Sequence, residues 1–170
     1  MKPVLPDLLV PGLRLVICGS AAGTASARRG AYYAGPGNKF WRILAETGLT
    51  PRLLQPEEFP LLPGFGIGLT DLAKHASGPD AAIRRDHYDA EGLMGRVRAC
   101  RPGMLAFNGK RAASVFLGVK SSGLAYGVQP VVAELPTIFV LPSTSGLASG
   151  NWDGRHWHDL AVILERPKSG

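Results

Sequence analysis

The sequence predicts an α/β fold of three layers, α/β/α, around a mostly parallel four-stranded sheet. Short apolar, β-branched runs alternate with segments whose apolar residues recur at helical spacing, the order that builds a parallel sheet covered on both faces. Hydrophobic content of 45% over 170 residues is enough for one substantial core. No internal repeat or low-complexity tract interrupts it, so residues 1–170 read as a single domain.

The first strand is Leu13-Arg14-Leu15-Val16-Ile17-Cys18, an apolar run that ends at Gly19 as a buried parallel strand does. A long Gly/Ala/Ser/Arg loop is expected from Gly19 to Gly37. Asn38 then opens a helix in which Phe40, Ile43, Leu44 and Thr47 share a face, and Gly48 stops it. Pro51 to Pro63 is a proline-punctuated connection, and Phe65 to Leu69 a second strand that leads into Thr70-Asp71-Leu72. Ala76 to Asp86, polar and basic, reads as a surface loop. Leu93, Val97 and Cys100 mark a helix ended by Pro102-Gly103. Met104 to Phe107 is the third strand, and Asn108-Gly109-Lys110 turns into a helix carrying Ala112, Ala113, Phe116 and Leu117. Thr137 to Leu141 is the fourth strand; Trp157, Leu160, Ala161 and Leu164 face inward from the last helix. In open parallel sheets ligands gather at the carboxyl ends of the strands. The loops after Cys18, Leu69, Phe107 and Leu141 all belong there, which predicts one site.

Composition narrows the chemistry. A net charge of +6 and a pI near 9.7 are compatible with a polyanionic partner. No run approaches the roughly 18 apolar residues of a membrane span, and Met1-Lys2-Pro3-Val4-Leu5-Pro6-Asp7 makes a poor signal peptide. The expected location is cytoplasmic, nucleoid-associated if the partner is DNA. Cys18 and Cys100 are the only cysteines and read as small buried hydrophobes. They are too few to ligate a typical iron–sulfur cluster, and no cofactor is expected. His156 and His158 stand two apart, so a helix points them to different faces and no shared metal is expected. Lys110 lacks the glycine register and the Ser/Thr of a P-loop. Gly19 to Gly23 is not Gly-x-Gly-x-x-Gly, and Gly-x-Ser-x-Gly is absent.

Two segments stand out. One runs from Gly19-Ser20-Ala21-Ala22-Gly23 through Tyr33-Ala34-Gly35-Pro36-Gly37-Asn38-Lys39-Phe40-Trp41; the other is Leu141-Pro142-Ser143-Thr144-Ser145-Gly146-Leu147. With Gly66 to Leu72 and Ala106-Phe107-Asn108-Gly109-Lys110, they resemble the uracil-DNA glycosylase superfamily, nearest its mismatch-specific uracil/thymine branch. From Pro11-Gly12-Leu13-Arg14 onward the chain follows that branch's strand, Gly-x-Asn-Pro-Gly loop, aromatic and Asn-(Lys/Arg/His)-Phe-Trp without a gap. The similarity covers roughly half of the chain, and the blocks together are fairly specific. It departs at one place: Ala21 occupies the slot of the family's water-positioning asparagine, and a methyl group cannot hydrogen-bond a nucleophile.

The resemblance implies a monofunctional DNA glycosylase of base excision repair, acting on DNA that contains uracil or other deaminated bases. Such chemistry extrudes the nucleotide and places a water at the anomeric carbon while hydrogen bonds take up the charge of the leaving base. Tyr33 lies where the family stacks an aromatic on the base, with Ser20 and Ala21 beside it; an ordinary loop or core aromatic is the competing reading. Asn38 is either a catalytic, base-contacting amide or a helix N-cap. Asp71 is a candidate proton acceptor, although a helix cap or an ion pair with Lys74 weighs more. Ser143 replaces the family's Asn or His and offers one hydrogen bond to the departing base. Leu147, after Ser145-Gly146, fits the wedge that fills the vacated stack, against a buried loop anchor. Lys110, Arg28 and Arg29, with Arg84 and Arg85, are candidate phosphate contacts, solvated charge being their ordinary role. No lysine is placed as a Schiff-base nucleophile, so strand cleavage is not expected. The missing asparagine and histidine predict broad base tolerance, extending to hypoxanthine or xanthine. A monomer is expected. Two alternatives remain: a damaged-DNA or abasic-site binding module, which Ala21 favours, and a small-molecule hydrolase on the same fold.

Overall fold

The computed structural model describes residues 1–165. Four strands run parallel: β1 (Leu15–Ala22), β2 (Ile67–Ser77), β3 (Met104–Asn108) and, after a short β4 (Gly127–Val128), β5 (Thr137–Leu141). The spatial order is β2-β1-β3-β5-β4 in a five-stranded sheet, with β4 antiparallel to β5 on the outer edge. The sheet thus has one strand more than the sequence predicts. Gly127-Val128 is too short to carry an alternation signal, and it pairs only because it lies against Phe139 and Val140.

Alternate residues of a strand face opposite sides, and β1 divides its apolar side chains accordingly. Leu15 and Ile17 join Tyr32, Phe40, Trp41, Leu69, Phe139, Trp157 and Leu160 under α2 (Phe40–Glu46) and α5 (Arg155–Glu165). Val16 and Cys18 join Leu72, Leu93, Val97, Phe107, Phe116 and Val140 under α3 (Ala90–Cys100) and α4 (Lys110–Leu117). The three-layer α/β/α reading holds. Cys18 and Cys100 are both buried and free. Among the described residues, no helix is long and apolar enough to cross a membrane.

Several boundaries differ from the sequence reading. The expected loop from Gly19 to Gly37 starts later, because β1 continues to Ala22 along β2, and α1 (Thr24–Arg29) then forms before a left-handed Gly30. The second strand begins at Ile67, since Phe65 closes a 3-10 segment from Pro56 that includes Pro60 and Pro63. It then runs on through Asp71 to Ser77. Asp71 is therefore inside a strand, opposite Gly19, and caps no helix at Leu72. Its expected ion pair fails too: Lys74 pairs with Asp7 at 2.6 Å. Helix α2 starts at Phe40 with Lys39 at its cap, two residues beyond Asn38.

Candidate active site

The carboxyl ends of β3 and β5 are joined by one buried carboxamide. Asn108, at the end of β3, donates from Nδ2 to Thr144 Oγ1 at 2.9 Å and accepts from Thr144 N at 3.0 Å. Thr144 is fully buried, and its carbonyl accepts from Lys39 N at 2.9 Å. A hydroxyl and two backbone groups are satisfied at once, so the loop after β5 is held between the β3 terminus and the segment that enters α2. Contact is close because glycines face it: a β-carbon on Gly146 would lie 2.9 Å from the Pro36 carbonyl oxygen. The two segments that stand out in the sequence thus pack directly against each other.

Below this junction lies a polar pair. A β-carbon on Gly19 would stand 2.7 Å from Asp71 Oδ1 and 3.1 Å from Tyr33 Oη, so the missing side chain makes room for both groups. Asp71 is only 4% exposed. Burial pushes its carboxyl up to about 6; Lys74 and Arg96 pull it down and Asp7 adds to the rise, and among the described residues no hydrogen bond to the carboxyl offsets the desolvation. The Tyr33 hydroxyl is buried without a well-formed hydrogen bond among the described residues. Burial, then the Asp71 charge, raises its pKa well above the ordinary phenol range, with the Asn108 carboxamide opposing. The Tyr33 ring stacks on Phe40 with centroids 4.0 Å apart, while the residue as a whole stays partly exposed. Its backbone has φ +53°, a left-handed conformation that an aromatic residue adopts only when its surroundings impose it.

The other predicted site residues make contacts of their own. Asn38 is half-buried and stands one residue before the helix cap, Lys39; its Oδ1 accepts from Phe40 N, the first helical amide, at 3.0 Å. Ser20 donates to Asp80 Oδ1 at 2.6 Å, and Ala21 sits in β1 opposite Ala73. Ser143 Oγ accepts from Ser145 N at 3.2 Å, and Ser145 Oγ from Leu147 N at 3.2 Å, so two hydroxyls shape the turn. Leu147 is 86% exposed on a 3-10 segment, Gly146–Asn151. Lys110 begins α4 with its ammonium 4.5 Å from the centroid of the Tyr126 ring. Arg28 is exposed; Arg29 donates to Glu57 and to the Ala34 carbonyl, which ties it to the fold.

Asn108 and Thr144 are the site residues that sequence reasoning misses. Both stand within the segments that carry the resemblance, but the pattern around Asn108 suggests only a turn into a phosphate-binding helix start. A polar residue ending an otherwise apolar strand is the signal that could have found it.

The fold has a counterpart. The chain is similar to the solution NMR structure of a candidate uracil DNA glycosylase from Methanosarcina acetivorans, with 24% sequence identity and a TM-score of 0.66, over 97% of this chain and 98% of that one. The family model described as the uracil DNA glycosylase superfamily matches residues 6–163. That span takes in every strand and all the loops at the site, and the chain belongs to the uracil DNA glycosylase superfamily.

Proposed function

We propose that the protein is a monofunctional DNA glycosylase that removes uracil, and other deaminated bases, from nucleotides extruded out of the stack. The observation that carries this is the buried Asp71 carboxyl beside the Tyr33 hydroxyl, over a glycine and beneath two interlocked loops. A carboxyl near pKa 6 is ionised at neutral pH, yet close enough to neutrality to take a proton. In the reaction a water oxygen bonds to the anomeric carbon as the carbon–nitrogen bond breaks and its electron pair leaves with the base. Asp71 accepts the proton of that water and offsets the positive charge developing on the sugar. The Tyr33 ring, backed by Phe40, stacks on the base.

Asn38 has its Oδ1 engaged by Phe40 N, which leaves Nδ2 as the end that hydrogen-bonds a ligand. A donor suits the departing base anion better than it suits a nucleophilic water. The Ser143 hydroxyl adds a second donor to the base, and Leu147 enters the vacated stack. Ser20 and Ala21 border the base, with Ser145 and Gly146 shaping the loop that meets DNA and Lys110, Arg28 and Arg29 near its backbone.

Release of free base from duplexes carrying uracil, hypoxanthine or xanthine, by wild type, Asn38→Ala and Asp71→Asn, tests the assignment. Both variants are expected to lose at least about a hundredfold in single-turnover rate. Unchanged turnover in both would strip Asn38 and Asp71 of these roles. The second reading, a lesion-binding module, draws on Ala21, whose methyl leaves the first segment without a water-holding group. Tight binding to abasic DNA with no release of any deaminated base would favour it.

A further inference from the structure

Two lysines stand at the ends of the Ser143–Ser149 segment, and each lies over an aromatic ring. Lys39 Nζ donates to Ser149 Oγ at 3.0 Å and lies 5.5 Å from the centroid of the Trp152 ring. Lys110 Nζ lies 4.5 Å from the centroid of the Tyr126 ring, which is backed by the His156 ring at 4.9 Å. Lys110 follows Gly109, where a β-carbon would stand 3.3 Å from Ser143 Cβ, so it marks the start of the segment as Lys39 marks its end. Among the described residues, no carboxylate lies within ion-pair distance of either ammonium. A carboxylate would neutralise the charge. An aromatic face orients an ammonium and leaves its charge available to a third party.

We propose that Lys39 and Lys110 form a two-point clamp on the phosphodiester backbone of DNA, one at each end of the segment that carries Leu147. The inference rests on the reading that this protein acts on DNA, and it adds Lys39, Trp152, Tyr126 and His156 to the surface that meets the strand. The aromatic rings set where the ammonium groups wait, so the spacing of the gripped phosphates is built in before DNA arrives.

The test is the salt dependence of binding to a duplex with a stable abasic-site analogue. Each neutralised phosphate contributes about 0.9 to the slope of log K against log salt. Lys39→Gln and Lys110→Gln are each expected to lower the slope by about 0.9, and the double variant by about twice that. Arg101→Gln, at the opposite end of the sheet, is the control and should keep the wild-type slope. Lys39→Arg keeps the charge and should keep the slope, and Ser149→Ala, which removes the bond but not the charge, should keep it too, which separates phosphate contact from the Ser149 bond. Unchanged slopes, a drop in only one lysine variant, or no DNA binding by wild type would overturn the clamp. Base release is scored separately. Lowered slopes without release from any deaminated substrate would keep the clamp and remove the glycosylase reading. Release with unchanged slopes would do the reverse.

Discussion

Asp71 Oδ1 and Tyr33 Oη converge on a single point, 2.7 and 3.1 Å away, where a β-carbon on Gly19 would stand. Gly19 lies in β1 opposite Asp71, so the strand itself positions the gap. The consequence is specific to this glycine, whose φ is not in the left-handed region. Gly19→Ala imposes no backbone strain but forces two buried polar groups apart. The expected cost is about 1–3 kcal/mol of stability, the usual penalty for overpacking. Base release should fall with it. A variant that melts and turns over like wild type would show that the pair tolerates displacement and is not the centre of the site.

The raised pKa of Asp71 has a thermodynamic side. An aspartate in the unfolded chain titrates near 3.8, and in the folded protein this one titrates near 6. Below pH 4 both states hold the proton and no charge is buried. Between about 4 and 6 the unfolded chain gives up its proton while the buried group keeps it, so stability is lost across that window and the loss is complete once the folded group ionises above 6. The shift corresponds to about 3 kcal/mol at pH 8. Asp71→Asn should therefore melt higher than wild type at pH 8 and equally at pH 4, while base release is lost. The wild-type rate should in turn climb through pH 6 as the carboxylate forms. A melting difference that is the same at both pH values would contradict the burial argument.

How much of the fold and the site is legible in the sequence depends on the kind of residue. The four long strands and the inward faces of the helices are readable because apolar periodicity records burial directly, as Leu15 and Ile17 against Val16 and Cys18 show. Polar strand ends are not. Asp71 lies in the middle of an eleven-residue strand, but propensity ends a strand at Asp, and only pairing with Gly19 through Ala22 carries β2 onward. Helix α1 is hidden by Gly, Ala and Ser that read as loop. The two site segments are visible as a resemblance, but their contact is not, because the Lys39 to Thr144 bond joins residues more than a hundred positions apart. Sequence patterns report local periodicity; they do not report which loop ends meet.

Asn108 is the residue on which that meeting depends. Its two hydrogen bonds to Thr144 are both buried, so truncation strands a hydroxyl and a backbone amide. Asn108→Ala should cost about 2–4 kcal/mol, with each unsatisfied group contributing about 1–3 kcal/mol. Asn108→Asp can still accept from the Thr144 amide but adds a buried charge beside Tyr33, so it should not rescue. In a variant that remains folded, the loss should appear in substrate affinity and in base release together, since the loop that bears Ser143 and Leu147 is no longer held. Normal melting and normal kinetics in Asn108→Ala would show that Lys39 N and the glycine contacts suffice.

Leu147 allows stability and function to be separated. At 86% exposed it contributes little to the core, and Leu147→Ala should leave stability unchanged within about 0.5 kcal/mol. A wedge acts only where extrusion leaves a hole between stacked neighbours, that is, in a duplex. Base release from duplex DNA should therefore fall about tenfold or more in this variant, by loss of a few kcal/mol of compensation for unstacking. On a single strand carrying the same base there is no paired stack to refill, and the variant should match wild type. Equal losses on both substrates would assign Leu147 to the shape of the loop, and an unchanged rate on the duplex would leave this exposed leucine without a part in extrusion.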